Sequence, residues 1–303
     1  MLAFLSVFVE KLLLSGGLKV SELQSNQYHS LLTAAEQMFK EPVVLIDCLI
    51  ELAKSLPGRL IVDDTSSPKY AQLQGLARKM FIPSTGAYCQ GFKVVLFLWE
   101  TGQVRFPIAF ALWHAESEAL PELALKGFSL LRNQTPLKPL VTLGDAGYGS
   151  QEILKRLTDY GWPCIFRFKK NQKLSEQPIP QLIPRGYGEI TGTLENHTKI
   201  KVIRHKKHFL QCNRLSWTRA KIRSCYAKRW HIEEVFRILK SCIRLSGCQQ
   251  SSMPSQGFYV LLCCVALACL ELYPSLSPYA AKQAVILGSL NPASLLKLEL
   301  IQL

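Results

Sequence analysis

The chain has 303 residues, of which 48% are hydrophobic and 19% are charged, a composition typical of a globular protein rather than a disordered one. It carries 36 lysine and arginine residues against 22 acidic residues, which gives a formal net charge of +14. Such an excess of positive charge indicates a polyanionic partner, either nucleic acid or an anionic membrane surface, with an ordinary basic soluble protein as the alternative.

Two apolar stretches and the cysteine pattern indicate in which cellular compartment the protein works. Residues 1–17 lack a cationic segment ahead of the apolar run and place Glu10 and Lys11 inside it, unlike a signal peptide. Residues 257–270 are shorter than the roughly 20 residues that span a bilayer, so we interpret them as a helix buried against a sheet. The ten cysteines form no C-x-x-C pair, and we interpret them as reduced, buried thiols of a soluble cytosolic protein.

The first third of the chain changes from helical to strand-like periodicity. Helices are predicted over 1–14, 27–39 and 41–56, and together they form a helical region over 1–58 that is a possible short DNA-binding part. The run RLIVDDT over 59–65 predicts a buried strand, and 66–89 is predicted to be rich in loops. Two strands joined by a tight turn are predicted over 92–99 and 104–112.

The rest of the chain alternates between helices and strands. A helix is predicted over 117–132, a strand over 139–145, a helix over 150–160 and a strand over 163–170. A small β-rich insertion over about 171–217 precedes a helix that begins near Thr218. Without the insertion the order is β-ββ-α-β-α-β-α, which favours a mixed α/β sheet flanked by helices. We expect this domain to cover 59–273, followed by a helical tail over 274–303.

Acidic residues follow two of the predicted strands. Asp63 and Asp64 end the first strand, and Asp145 ends PLVTLGD. In open α/β sheets ligands gather outside the carboxyl ends of strands, so these side chains can converge on one site. The alternative for each is a turn residue, with Ser150 as the cap of the following helix.

A third carboxylate lies on the helix YAKRWHIEEVFRILK, residues 226–240. At 100° per residue, Glu233 borders the apolar stripe together with Tyr226, Arg229 and Lys240, while Glu234 is predicted to face solvent. The alternative is a surface ladder of ion pairs from Arg229 through Glu233 to Arg237. Taken together, however, three carboxylates suit two Mg²⁺ ions about 4 Å apart, the arrangement that phosphodiester chemistry uses.

These motifs resemble bacterial insertion-sequence transposases with a DDE catalytic triad. Tyr226-x2-Arg229-x3-Glu233-x6-Lys240 is similar to the YREK signature of that family, VDDT (62–65) and GDAGYGS (144–150) resemble its two aspartate motifs, and FRFKKN (166–171) resembles its basic strand. The resemblance implies an RNase H-like fold, with Asp64, Asp145 and Glu233 as the catalytic metal ligands. Tyr226, Arg229 and Lys240 would then contact DNA, and charge alone makes further candidates of Arg237, Arg167, Lys169 and Lys170.

The resemblance implies hydrolysis at transposon ends and attack of the freed 3′-hydroxyl on target DNA, with Mg²⁺ as cofactor and Mn²⁺ as a possible substitute. It also implies terminal inverted repeats and target duplex as partners, a homodimer on DNA, and a bacterial cytoplasmic protein. We expect end recognition to be clipped or minimal, because the N-terminal part is short. Trp217 is either a base-stacking or, preferably, a packed aromatic residue. The alternatives are a nuclease without strand transfer, a silent DNA-binding remnant and a membrane-surface protein.

Overall fold

The computed structural model describes residues 42–69, 77–82, 86–102, 104–169, 172–183, 188–248, 251–272 and 276–287. The helices predicted over 1–14 and 27–39 lie outside these residues, as does Lys170. The described strands are β1 (Val43–Leu45), β2 (Arg59–Pro68), β3 (Arg78–Ile82), β4 (Ala87–Glu100), β5 (Arg105–Trp113), β6 (Thr142–Gly144), β7 (Cys164–Arg167), β8 (Lys173–Leu174), β9 (Gln177–Pro178), β10 (Glu189–Thr193), β11 (Lys199–His205) and β12 (His208–Cys212).

The described helices connect these strands and cover the sheet. They are α1 (Asp47–Ser55), α2 (Leu120–Gln134), α3 (Gln151–Asp159), α4 (Ile179–Leu182), α5 (Arg219–Ala227), α6 (His231–Ser241), α7 (Met253–Leu272) and α8 (Pro278–Ile286). A short 3₁₀ helix, Lys228–Trp230, joins α5 to α6. The helix predicted over 226–240 is therefore divided between the end of α5, the 3₁₀ helix and α6.

Ten of the described strands form one mixed sheet in the order β1-β5-β4-β2-β6-β7-β12-β11-β10, with β3 paired to β4 beside this path. At its centre β5, β4 and β2 are antiparallel neighbours, and β6 and β7 then run parallel to β2. The helix α3 joins the parallel strands β6 and β7, whereas the connection from β2 to β6 passes through β3, β4, β5 and α2. This is the predicted RNase H-like α/β fold, and the prediction is confirmed.

The strands of the β-rich insertion continue the same sheet. β12 pairs with β7 antiparallel, and β11 and β10 extend the sheet from there. Only the two-residue strands β8 and β9 form a separate small pair in this part of the structure. The insertion therefore shares the sheet of the catalytic core, which the alternating runs in its sequence did not reveal.

Two elements differ from the sequence predictions. Residues 43–45 form the strand β1 on the outer edge of β5, so the helix predicted over 41–56 begins only at Asp47. The stretch predicted to be loop-rich, 66–89, contains the end of β2, all of β3 and the start of β4. In both places short apolar runs fit either assignment, and pairing with a neighbouring strand decides it.

Buried helices cover both faces of the sheet. On one face α2 packs against β4, where Phe128 meets Phe97 edge-to-face at 5.5 Å between ring centroids. On the other face α6 packs against β2, and α7 packs against β5. Within the described part of the chain, α7 is the one helix long and apolar enough to cross a membrane, and 72% of its apolar window is buried. The prediction that this apolar stretch is too short to cross a bilayer was wrong, because the helix has 20 residues. The prediction that the helix is buried agrees with the structure.

The ten cysteines are free thiols, and six of them are buried. Cys263, Cys264 and Cys269 lie inside α7, where burial raises the pKa of each thiol. High thiol pKa values keep these groups protonated and unreactive, in agreement with their interpretation as small apolar core residues. Not all ten are buried as predicted, because Cys89, Cys225 and Cys248 are half-buried and Cys48 is exposed on α1.

Candidate active site

The two aspartates of β2 lie where that strand loses one neighbour. The last pair between β2 and β6 joins Val62 to Gly144, and β6 ends there. Since side chains alternate along a strand, Asp63 and Asp64 point to opposite faces. Asp63 faces the side covered by α6, where its Oδ2 accepts a bond of 2.5 Å from Arg229 Nη1. Asp64 faces the other side, where its carboxylate meets Lys93 Nζ at 2.8 Å.

Asp63 is a buried carboxyl group with two other carboxylates, Asp145 and Asp64, close to it. It is 9% exposed, and burial, reinforced by the charge of Asp145, raises its pKa to about 7 against the opposing effect of Arg229. The charge of Asp64 acts in the same direction as that of Asp145. The carboxylates of Asp63, Asp64 and Asp145 therefore lie within electrostatic reach of one another.

The loop after β6 holds two carboxylates at once. The amide of Gly147 donates to Asp145 Oδ1 at 2.6 Å, and the hydroxyl of Tyr148 donates to Asp64 Oδ1 at 2.8 Å. Tyr148 is 1% exposed, and burial followed by the charge of Asp64 raises its pKa well above the usual range, so the phenol remains a donor. The next residue, Gly149, accepts a bond of 2.9 Å from Gln211 on β12.

The helical segment of α5 and α6 brings the third acid to the sheet. Thr218 Oγ1 caps α5 by accepting from the Lys221 amide at 3.3 Å, at the predicted start. The predicted apolar stripe of α6 is buried and fixes the helix rotation (Ile232, Val235, Phe236, Leu239 and Ile243). This rotation places Glu233 beside Arg229, with 3.4 Å between Glu233 Oε1 and Arg229 Nη2.

Residues next to Glu233 on α6 are tied to the sheet. Glu234 forms an ion pair with Arg105 of β5, and Arg105 also meets Glu271 of α7 at 2.9 Å. The prediction that Glu234 simply faces solvent is therefore wrong, because β5 supplies a partner that helix geometry alone does not show. On the other side, His231 Nδ1 lies 3.4 Å from Oε1 of Glu100, which is 1% exposed.

Cations surround the carboxylates. Burial lowers the pKa of Lys240, whereas the charges of Glu233 and Asp64 raise it, so its ammonium lies in the field of both acids. Burial raises the pKa of Tyr226, and Arg229 and Arg167 oppose this effect. The structure therefore brings Tyr226, Arg229 and Lys240 to the same place as the acids.

The other predicted DNA-contacting residues differ in exposure, and one lies outside the described residues. Arg167 is half-buried and contacts His208, Lys169 is half-buried, and Arg237 is exposed on the outer side of α6. Lys170 is outside the described residues. Trp217 is partly buried against the core with Lys221 Nζ 4.4 Å from its ring centroid, which agrees with a packed aromatic residue.

The donor chemistry of the site can be compared with what a divalent metal needs. Within the described residues, no group of three histidine, cysteine, aspartate or glutamate side chains is placed so that it could hold a metal ion. Instead the carboxylates share Arg229 and Lys240 as charge partners. Their oxygens are nevertheless the hard ligands that Mg²⁺ prefers, and a cation would relieve their mutual repulsion. The chemistry of the residues therefore suits such an ion, although their arrangement in this structure does not form a metal-binding group.

Sequence reasoning missed three residues that shape the site. Lys93 and Gln211 come from strands that are remote in sequence, and no local pattern indicates their contacts with Asp64 and Gly149. Tyr148 was detectable in principle, because it lies inside the GDAGYGS motif. A large aromatic residue with a polar tip beside a strand-end acid is a reasonable hydrogen-bond donor.

The fold is shared with a transposase of known structure. A cryo-EM structure of the piggyBac transposase synaptic complex with hairpin DNA matches with a TM-score of 0.53 and 12% identity, covering 98% of this chain and 69% of that one. The catalytic domain of human endonuclease V matches with a TM-score of 0.28 and 13% identity over 80% of this chain and 96% of that one, which is too low to carry an argument.

A search of curated protein sequences finds no match. The profile of the transposase DDE domain, however, matches residues 54–267, more than half of the chain. This range contains β2 with its two aspartates, β6 with the aspartate that follows it, the insertion and the whole of α6. The prediction that Asp63 and Asp64 end their strand is wrong, because β2 stays paired with β4 as far as Pro68. The chain belongs to the transposase DDE domain family, whose members are enzymes that cleave and join DNA.

Proposed function

We propose that this DNA transposase cuts the ends of a mobile element and joins the freed 3′-hydroxyl groups to target DNA at the site around Asp64, Asp145 and Glu233. The observation that carries this proposal is the meeting of three remote segments around two cations. Arg229 lies 2.5 Å from Asp63 and 3.4 Å from Glu233, and Lys240 lies in the field of Glu233 and Asp64. The charge of Asp145 reaches the same place, because it raises the pKa of Asp63 after burial, the larger cause. The family generally uses divalent metal ions, and Mg²⁺ is the proposed ion.

The proposed ligands are Asp64, Asp145 and Glu233, for two Mg²⁺ ions that Mn²⁺ can replace, with Asp63, which faces α6, as the alternative to Asp64. When bound, such ions activate the attacking oxygen and stabilise the leaving oxygen of the phosphodiester. The residues of the chain orient the ligands: Gly147 donates to Asp145, Tyr148 donates to Asp64, and α6 carries Glu233. Asp63 holds the Arg229 guanidinium in place through their ion pair.

The cations of the site are proposed to hold the DNA backbone. Arg229 and Lys240 flank Glu233 one turn before it and two turns after it, so a phosphate bound between them lies beside the carboxylates. Tyr226 lies on the same side, within the electrostatic reach of Asp145. Outside this centre, the net charge of +14 favours contacts along the duplex through the remaining candidates (Arg167, Lys169, Lys170 and Arg237).

The organisation of the whole protein follows the same proposal. A catalytic domain over 59–273 is supported by the family match, which covers nearly the same residues. We propose the region 1–58 as a short DNA-binding part, of which β1 and α1 pack into the core sheet, and 274–303 as a tail that includes α8. We further propose that the enzyme pairs two terminal inverted repeats as a homodimer and works in the bacterial cytoplasm.

The test is an assay with a duplex that carries the ends of the element and a second, target duplex. Wild-type protein with Mg²⁺ or Mn²⁺ should produce nicked ends and joined products. Asp145→Asn should lose both products and retain duplex binding measured by fluorescence anisotropy. Nicking without joined products would instead support a nuclease without strand transfer, and binding without nicking would support a silent remnant.

A further inference from the structure

A two-stranded ribbon extends from the main sheet near the candidate active site. It consists of β3, Arg78–Ile82, paired with residues 87–91 of β4. The pairing of β4 with β5 ends at Lys93, and its pairing with β2 ends at Gly91. Within the described residues, the outer part of the ribbon is therefore two strands wide. A two-stranded ribbon is marginally stable alone in water, so contact with a partner would stabilise it.

The ribbon exposes an aromatic pair. Phe81 and Tyr88 are directly opposite each other in the register, and their side chains are therefore on the same face. Their ring centroids lie 5.4 Å apart, and the two residues are 49% and 65% exposed. Lys79 on the same face places its ammonium 5.0 Å from the Tyr88 ring centroid. This face presents π surface together with positive charge.

The charge of the surrounding segment favours a polyanionic partner. Residues 65–99 contain four lysine and arginine residues and no aspartate or glutamate, as counted in the sequence. Arg78 and Lys79 are exposed on the ribbon. Protein interfaces are instead depleted in lysine, which makes a second copy of this chain the less favoured occupant.

On the face opposite Lys79 and the aromatic pair, a row of cations connects the ribbon to the proposed metal ligands. The Arg78 guanidinium lies 4.3 Å from the Trp113 ring centroid, and Lys93 lies on the same ring at 5.5 Å. Lys93 in turn meets Asp64. Along β4, Tyr88 is seven residues from Val95, the register partner of Asp64. At about 3.3 Å per residue this is about 23 Å, or about seven base pairs of duplex.

We propose that the β3–β4 ribbon is a DNA-binding surface that contacts the substrate duplex about seven base pairs from the phosphate that is cut. Arg78 and Lys79 bind backbone phosphates, and Phe81 and Tyr88 contact sugars and bases in a groove that can admit a two-stranded ribbon. The inference rests on the proposed function only for the position of the cut phosphate.

The test is the affinity for a random-sequence duplex of about 30 base pairs, measured by fluorescence anisotropy over a range of salt concentrations. The variant Arg78→Gln/Lys79→Gln should reduce the slope of log affinity against log salt by about 1.8, at about 0.9 for each lost phosphate contact. The matched control is Lys155→Gln/Arg156→Gln, an adjacent pair of exposed cations on α3, which should change the slope less.

The aromatic pair needs its own comparison. Phe81→Ala/Tyr88→Ala should weaken binding about tenfold, while Phe81→Tyr/Tyr88→Phe should bind like wild type, because both rings are retained. All variants are also measured in an Asp145→Asn background without cleavage, so a wrong assignment of the acids leaves this result unaffected. Native mass is measured in parallel without DNA.

Two results would overturn the inference. In one, both ribbon variants bind DNA with the affinity and salt slope of wild type. The same conclusion follows if the α3 control variant loses as much affinity and salt slope as the ribbon variants do. In the other, the ribbon variants change native mass from dimer to monomer with no change in the salt slope. The second result would assign the aromatic pair to contact between two copies of the chain.

Discussion

Arg229 and Asp63, 166 positions apart in the chain, form an ion pair of 2.5 Å at the centre of the candidate site. Both side chains are largely buried, with 18% and 12% of their surfaces exposed. The pair fixes α6 to β2 at the point where Glu233 must approach the sheet. It also gives the two neighbouring aspartates different partners, since Asp64 is bound by Tyr148 and Lys93.

This difference predicts distinct effects for the two aspartates. Asp64→Asn should remove a metal ligand and reduce cleavage by more than about 100-fold, beyond the range that loss of an outer-shell contact causes. Asp63→Asn should release Arg229 while leaving affinity for Mn²⁺, measured by calorimetry, close to wild type. If Asp63→Asn abolishes Mn²⁺ binding and Asp64→Asn does not, the ligand role belongs to Asp63.

The raised pKa of Asp63 predicts a pH-dependent stability in the presence of a chelator. Its pKa is about 7 in the folded protein, above the usual value of 3.8, so the folded state binds this proton more tightly than the unfolded state. The stability from this group is thus complete below about pH 4 and is lost as the pH rises to about 7.

The measurement is urea unfolding between about pH 4 and pH 8, compared for wild type and Asp63→Asn. The wild type should lose more stability than the variant over this range, by on the order of a few kcal/mol at about 1.4 kcal/mol per pKa unit. Other titrating groups affect both proteins and cancel in the comparison. Parallel curves for the two proteins would show that Asp63 does not titrate in this range.

Tyr148 is predicted to position Asp64 for metal binding. Tyr148→Phe keeps the buried ring and removes the hydroxyl that donates to Asp64. Cleavage at limiting Mg²⁺ should fall about 10- to 100-fold, the usual effect of losing an outer-shell partner of a metal ligand. High Mg²⁺ should restore much of the activity, which a general loss of folding would not permit. Equal loss at all Mg²⁺ concentrations would contradict the positioning role.

Arg105 is predicted to hold α6 on the sheet. Arg105→Met would leave Glu271, which is 5% exposed, without its ion pair. Breaking a buried pair by removing one partner destabilises a protein by about 3–5 kcal/mol, and chemical unfolding should show a loss of this order. Lys126→Met is the matched control, because its pair with Glu118 is nearly half-exposed and should contribute less than about 1 kcal/mol. Equal losses would show that Glu271 finds another partner.

Much of the fold could be predicted because its strands and helices have clear hydrophobic periods. The order of β2, β4, β5, β6 and β7 with their helices followed from these periods, and so did the face of α6 that carries Glu233. The strand β1 could not be distinguished from a helix start, because three apolar residues carry no period. Its pairing with β5 is a tertiary interaction.

The grouping of the acids could be anticipated from the sequence, and their partners could not. Predicted strand ends and a helical face pointed to Asp145, Glu233 and the Asp63–Asp64 pair as neighbours, although β2 continues beyond the pair. The buried first strand gives no alternation of polarity, so the sequence could not assign a face to either aspartate of that pair. Their partners come from α6, the loop after β6 and β4, and such contacts between remote segments have no local pattern.

The pairing of β12 with β7 has a consequence for how such proteins can diverge. A shortened chain without residues 171–217 would leave the backbone groups of β7 open to the next molecule, and an open strand edge is a site of aggregation. It would also remove Gln211 from the loop that carries Asp145. Insertions and deletions should therefore be tolerated during evolution in the distal hairpin of β10 and β11. In the segment that pairs with β7 they should be selected against.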